Sequence, residues 1–441
     1  MSPTLAIILF VVFFALMVIL SDKLKMSIGL LGALFAFILS GWFGKASPTA
    51  VVGYFPTNTI ITLFIASTFF CYVQQTGVFG GIVERIMQAS KGRTAVIPFA
   101  LFICSAIVCA LGGAEVTPLL LSPIAFAFVN HAGLHPLLAV ISTYTGTIGA
   151  GLGFWTPGGS TVRALAEAEI GEVPSFITSY QSLFFLFVFS VVIYVCAYYI
   201  LKGNRLDSAK VSEYLSKKPE PFTGEQKFAL KVVAAVVVVT AVPVLFQTLI
   251  YPNPVTAWMS THLALKQNCL LGVLAFHLAK IGDSKEIFKN RIPWSSFVNI
   301  AGCVMIVNCA KDLGITDLMA NALSTSVPGY FIPAAILVIS ALLSFVSNMF
   351  GIVPLFAPMA AALGEASGLH PATIVACIIA GCNATGISPV SMGGSLHQIG
   401  ANDEQRAFLF KKQWFTAVVF MLAMAAVSLL GVWKLVDNIF F

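Results

Sequence analysis

Gly133-Leu134-His135-Pro136 recurs 235 residues later as Gly368-Leu369-His370-Pro371, and Gly158-Gly159-Ser160 recurs at the same offset as Gly393-Gly394-Ser395. Setting residues 112–160 against 347–395 needs no gap and gives 14 identities in 49 positions, among them Pro123/Pro358, Gly146/Gly381 and Gly151/Gly386. Each copy begins with two short apolar arms around a polar or glycine-rich tip, Gly112-Gly113-Ala114-Glu115 in the first and Ser347-Asn348 in the second. A long apolar segment follows, broken near its end by glycines, small hydroxyls and a proline. The arm at residues 116–129 is too short to cross a hydrocarbon core of roughly 30 Å comfortably, and a turn inside apolar sequence must be surrounded by protein or water. The stretch therefore predicts a re-entrant helical hairpin followed by a discontinuous helix, present twice.

The rest of the chain supplies the surroundings such a pair needs. Of 441 residues 58% are hydrophobic and only 10% charged, a balance that no soluble domain carries on its surface. Apolar spans are expected at residues 3–20, 28–43, 59–75 and 176–201 in the first half and at 232–250, 263–279, 295–310 and 414–432 in the second. An amphipathic segment is expected at 78–89, with Glu84, Arg85 and Gln88 on its wet side. The start of the chain carries neither the basic residues nor the small-residue site of a secretory signal. Residues 161–172, with Arg163, Glu167, Glu169 and Glu172, read as a solvated loop, and Lys311 and Asp312 as an interfacial pair closing a span. His135 and His370 precede proline and read as turn formers, and isolated Gly29 and Gly272 as helix-packing residues. Nine singly placed cysteines without ligand spacing read as core residues, so neither disulfides nor a metal are expected.

These segments divide the chain into a first repeat, residues 1–201, a hydrophilic linker, 202–227, and a second repeat, 228–441. The expected fold is an all-α polytopic membrane protein, each repeat having five transmembrane helices, one of them discontinuous, and one re-entrant hairpin. With both termini outside the cytoplasm, 19 of the 24 Lys and Arg residues fall in cytoplasmic loops. An odd number of crossings per half then inverts the second repeat relative to the first. The net charge of +6 is a topology signal, so no nucleic-acid partner is expected.

Inverted repeats with broken helices at corresponding positions characterise secondary transporters that alternate access around a midplane site. Unwound backbone inside a membrane costs several kcal/mol per unpaired group, so it persists where a ligand or a wet cavity uses the freed amides and carbonyls. Free N–H groups favour anions, whereas carbonyl and side-chain oxygens suit a small cation. Glu115, an ionisable group at a tip in apolar sequence, reads as a hydrated side chain, a carboxylate ligand for a cation, or a proton carrier.

The two hairpins, the Ser347-Asn348 tip, the breaks at Thr156-Pro157-Gly158-Gly159 and Ser388-Pro389-Val390-Ser391, and the Trp294-Ser295 start of a span together resemble the divalent anion/sodium symporter family of the ion-transporter superfamily. Within it the chain is most similar to malonate and C4-dicarboxylate permeases. In that family each tip carries Ser-Asn-Thr; here Met349 follows Ser347 and Asn348, and the first tip retains none of the three. The resemblance implies substrate contacts from Ser347, Asn348, Met349, Gly113, Ala114, Gly153, Thr156, Ser388, Pro389 and Ser391. Cation or coupling contacts are expected from Ser347, Asn348 and Ile387 in the second half, and from Gly112, Glu115 and Gly151 in the first, where Glu115 stands in for the family's missing tip residues. The resemblance further implies a homodimer in the inner (plasma) membrane, with a scaffold and a moving transport domain, carrying a small carboxylate coupled to sodium or protons, with no cofactor besides a possible sodium ion. Two other classes stay open: the large membrane subunit of a tripartite, binding-protein-dependent carboxylate transporter, and a cation/proton antiporter or arsenite-type permease. An enzyme is not expected, since no HExxH, GxSxG or paired carboxylate/histidine arrangement stands at the breaks.

Overall fold

A computed structural model describes residues 3–24, 26–90, 93–114, 116–214, 220–246, 253–345 and 349–441. Every element among the described residues is helical, as the all-α expectation requires. Among the described residues, five helices are long and apolar enough to cross a membrane alone: Pro48–Gln75, Glu172–Ile200, Gly224–Leu245, Met349–Ser367 and Asp403–Leu429. Most other expected crossings are shorter apolar helices, such as Ile28–Phe43 and Pro371–Thr385, because turns and breaks interrupt them.

Packing sorts the helices into two bodies. One, the scaffold, joins Pro3–Leu24, Ile28–Ala36, Thr57–Gln75, Gly224–Leu245, Leu265–Leu278 and Trp294–Asp312. The other holds both hairpins, both broken helices and the long helices Glu172–Ile200 and Asp403–Leu429. Within the scaffold, helices Ile28–Ala36 and Trp294–Asp312 meet backbone to backbone. A Cβ on Gly302 would lie 1.6 Å from the Gly29 carbonyl oxygen, and one on Gly29 would lie 2.0 Å from the Val298 carbonyl oxygen. Gly272 likewise gives way to the Phe69 ring, which would lie 2.5 Å from an added Cβ. Small residues are the means by which apolar helices approach closely where no hydrophobic force distinguishes protein from lipid.

The duplication visible in residues 112–160 and 347–395 governs local structure to the residue. Helices Pro136–Ala150 and Pro371–Thr385 start and stop at positions 235 apart. Each is capped by its preceding histidine, whose Nδ1 accepts from the N–H of Leu137 or Ala372 at 3.2 Å. The histidines are thus turn formers, as their place before proline suggests. The repeat also extends upstream at an offset of 237. Pro56 and Pro293 precede helices with matching backbone angles, φ −80 and −79. Gly77 and Gly314, at φ 72 and 70, lead into Val78–Ala89 and Ile315–Ser326, each of 12 residues. Those left-handed turns need glycine. Helices Thr57–Gln75 and Trp294–Asp312 share no identical residue at that offset, so this half of the repeat was hidden from sequence.

Three expectations change. Residues 161–172 are no solvated loop: Pro157–Ile170 is a helix burying Thr161, Val162, Leu165 and Ala166. The misleading charges are held by partners within the protein, with Arg163 bonded to Glu167 at 3.2 Å, facing Glu172 at 3.6 Å and stacked over Phe176. Lys311 and Asp312 do not pair: Lys311 reaches Glu169 at 2.7 Å, and Asp312 accepts from the Tyr54 hydroxyl at 2.6 Å. Residues 202–227 are partly folded onto the protein, with Leu206 and Val211 buried, a short helix Ser208–Tyr214, and the helix from Gly224 started by a Thr223 capping box. Eight cysteines are buried and Cys196 is exposed, all unbridged.

The close glycine contact gives a stability prediction. Gly302→Ala forces the Ile28–Ala36 helix away and should cost about 1–3 kcal/mol, seen as a lower unfolding temperature in detergent. Gly80→Ala, where an added Cβ meets nothing within 4 Å, should be neutral or stabilise by up to about 1 kcal/mol.

Candidate functional site

The two hairpins and the two helix breaks meet at one cavity of about 290 Å³. The hairpin-bearing body supplies Gly112, Ala114, Gly151, Met349, Ser391 and Gly393 of those expected or neighbouring positions. The scaffold closes the other side with Leu63, Ser67, Cys71, Gln74 and Ile300. Helix Pro157–Ile170 presents Pro157 and Gly158 of its first turn to the space, an end where unpaired amides favour negative charge. Gly112 shows why its tip needs glycine: φ is 90, and an added Cβ would meet the Phe70 ring at 2.0 Å.

The breaks are built alike. The Thr156 hydroxyl lies 2.6 Å from the Gly151 carbonyl and 2.8 Å from that of Gly153, and accepts from the Gly159 N–H at 3.1 Å. Ser391 repeats this with Gly386 at 2.5 Å, Ser388 at 2.8 Å and Gly394 N–H at 3.0 Å. A single hydroxyl thus bridges carbonyls freed before the break and caps the half-helix after it. In the second half Gln413 adds a further support: its fully buried amide donates to the Ile387 carbonyl at 3.1 Å and the Gly394 carbonyl at 3.0 Å.

Placement of the sequence-derived residues follows from these bonds. Gly112, Ala114, Gly151, Met349 and Ser391 line the cavity. Thr156 and Ser388 are fully buried behind its wall, where Ser388 donates to the Phe345 carbonyl at 3.4 Å. Gly113 packs on Val108, Gly153 on the Trp155 ring, and the Ile387 carbonyl is taken by Gln413. Pro389 lies in the turn between Ser388 and Ser391. Glu115, Ser347 and Asn348 lie outside the described residues.

Of the lining residues outside the sequence reading, four bring polar or charged side chains that shape the wall. Tyr144 donates through its hydroxyl to the Asn383 carbonyl at 2.7 Å, tying one broken helix to the other. Asn383 turns its amide to the Ile379 carbonyl at 2.9 Å and the Met349 sulfur at 3.8 Å. His397 stacks edge-on against Tyr144 and shares a 2.9 Å hydrogen bond with Thr143. Arg291 comes from the scaffold turn before helix Trp294–Asp312 and, among the described lining residues, is the one that carries a permanent charge. An amide inside an apolar helix three residues before a break could have flagged Asn383. Nothing local marks the other three, which reach the cavity through tertiary packing.

A second cavity of about 320 Å³ lies between the two bodies, bordered by Pro56, Asn58, Glu167, Glu169, Asn308 and Pro354. The Lys311–Glu169 pair beside it joins the scaffold to the hairpin-bearing body.

A family model described as citrate transporter (CitMHS) matches residues 15–381. No curated protein sequence matches the chain. Among solved structures, MtrF of Neisseria gonorrhoeae, reported as illuminating a class of antimetabolite efflux pumps, is similar with a TM-score of 0.59 at 14% identity, covering 96% of this chain and 94% of that one. The YdaH transporter of Alcanivorax borkumensis, reported to have an unusual topology, gives 0.57 at 14% identity, over 97% of this chain and 98% of its own. At that identity the two structures speak for the fold. The family match spans most of the chain and bears out the resemblance to carriers of the ion-transporter superfamily: the chain belongs to the citrate transporter family and is a membrane-spanning secondary transporter, not an enzyme.

Proposed function

We propose that the chain carries a small di- or tricarboxylate by alternating access, together with a coupling cation. The observation that carries this reading is the convergence of both breaks and both hairpins on one cavity whose described lining is neutral apart from Arg291. A substrate with two or three carboxylates cannot leave water for such a place uncompensated, because isolated buried charges are prohibitively costly. One partly exposed guanidinium does not balance them, so cations must travel with the anion. Sodium and protons both remain eligible. Gly151, Gly112 and the adjoining tip residue Glu115 in the first half, and Ser347 and Asn348 beside Met349 in the second, are the proposed cation-side groups; Ala114, Met349 and Ser391 face the substrate. Thr156, Gly153, Gly113, Ser388, Pro389 and Ile387 serve by fixing the backbone there. The charge asymmetry of the loops supports an inverted arrangement in the inner membrane, with both termini outside the cytoplasm and the Arg291 side of the cavity facing inward. Assembly as a homodimer belongs to the same proposal.

Purified protein in liposomes should accumulate at least one of labelled malonate, succinate, malate or citrate when a sodium or proton gradient is imposed separately. Absence of accumulation of all four under both gradients would end the carboxylate reading. Tyr144→Phe removes the bond between the broken helices, a loss of about 0.5–1.5 kcal/mol, and should reduce uptake severalfold while leaving detergent stability nearly unchanged.

If the two bodies move against each other, the Lys311–Glu169 side must open in the opposite state. Cysteines at 311 and 169, joined by a short bifunctional thiol reagent, should stop transport, and a reducible linker should restore it on reduction. Full transport in the linked protein would show that this contact never opens.

A further inference from the structure

Arg291 closes the π-helical turn Ile287–Arg291 and lines the cavity at its scaffold side. Its Nε is held by both oxygens of Glu286, at 2.9 and 2.7 Å. Glu286 is itself fixed by the Gln75 amide at 2.8 Å, and the Gln75 carbonyl oxygen accepts from the Asp283 N–H at 2.8 Å. The guanidinium is therefore positioned along one edge. Its two terminal nitrogens have no protein partner among the described residues, and the side chain is 31% exposed. A planar fork with free donors, already oriented by a carboxylate behind it, is the arrangement that receives a second carboxylate side-on.

The repeat shows what stands at the corresponding place on the other face. At the offset of 237, Arg291 corresponds to Tyr54, and the equivalence is structural as well as numerical. The Arg291 carbonyl accepts from the Cys71 thiol at 3.6 Å, while the Tyr54 carbonyl accepts from the Asn308 amide at 2.9 Å, and residues 71 and 308 are again 237 apart. Tyr54 is neutral, and its hydroxyl is committed to Asp312 at 2.6 Å. One face of the scaffold thus offers a guanidinium and the other offers none.

We propose that Arg291 is a one-sided substrate receptor: its terminal nitrogens bind a carboxylate of the substrate side-on while the cavity opens toward the Ile287–Arg291 turn, and the equivalent position, Tyr54, supplies no such fork in the opposite state. This rests on the carboxylate-carrier reading above. Because Arg291 belongs to the scaffold, the moving body carries the substrate away from it during each crossing. The residue sets affinity at one face without being transported against its own charge pairing. A purely structural Arg291, needed only to hold the Glu286 turn, would instead affect both faces or folding.

The test measures uptake KM at each face separately, in liposomes where a membrane-impermeant thiol reagent silences one orientation through an engineered cysteine. Arg291→Gln should raise KM at the Arg291 face about tenfold to hundredfold, the loss of a charged hydrogen-bonding pair, and leave KM at the opposite face within about twofold. Arg291→Lys, which keeps the charge but not the fork, should fall between. Glu286→Gln, which keeps an amide oxygen to accept from Nε but loses the orienting charge, should raise KM at the Arg291 face much less than Arg291→Gln does. Equal increases at both faces, no increase at either, or the same loss in Glu286→Gln as in Arg291→Gln would overturn the proposal. If Arg291→Gln does not insert, a KM for Arg291→Lys equal to wild type at both faces overturns it as well. A wild type that moves no carboxylate fails the underlying reading instead, which the same preparations reveal before any variant is compared.

Discussion

The backbone's need for hydrogen-bond partners in a place without water organises this molecule. A continuous helix meets that need by itself; a broken one leaves carbonyls behind and amides ahead, at several kcal/mol for each group left unpaired. The protein answers with one residue per break. Thr156 and Ser391 each gather two freed carbonyls and one leading amide, and Gln413 adds a second prop on one side. With that done, the remaining backbone at Gly151, Gly158, Gly386 and Gly393 can face the cavity. The hairpins and scaffold wrap around this arrangement to keep lipid out.

The breaks were legible because they rest on glycine, hydroxyl and proline chemistry, which leaves a mark in sequence. The same holds for His135 and His370, whose capping role follows from their place before proline. The repeat was legible only where that chemistry recurs. In the scaffold the corresponding helices must match in length and angle, not in side chain, so apolar residues substituted freely and the correspondence survives only in the paired prolines and left-handed glycines. Helix Pro157–Ile170 was missed for a related reason. Its Arg163 pairs with Glu167 and faces Glu172 at the start of the next helix, and a charge count cannot distinguish charges that pair within the fold from a wet loop. On the cavity wall, Tyr144, His397 and Arg291 arrive from separate segments, and no single stretch of chain announces their meeting.

On the carboxylate-carrier proposal, recognition of the anion is divided between two kinds of group. The hairpin-bearing body contributes backbone and neutral side chains to the cavity. The permanent charge stays on the scaffold, at Arg291, where Glu286 and Gln75 hold it near water. A fixed charge at the centre of the moving body would have to be desolvated in every cycle; on the scaffold it need not move.

The shift in repeat offset from 237 to 235 has a mechanical meaning. It arises between the amphipathic helices and the hairpins: four residues separate Ala89 from Thr94, whereas two separate Ser326 from Gly329. These short connectors lead from the amphipathic helices into the first arm of each hairpin. Two additional residues lengthen the first connector by at most about 7 Å. Were the body to travel against the scaffold as the proposal requires, the shorter connector would set the tighter limit on its reach.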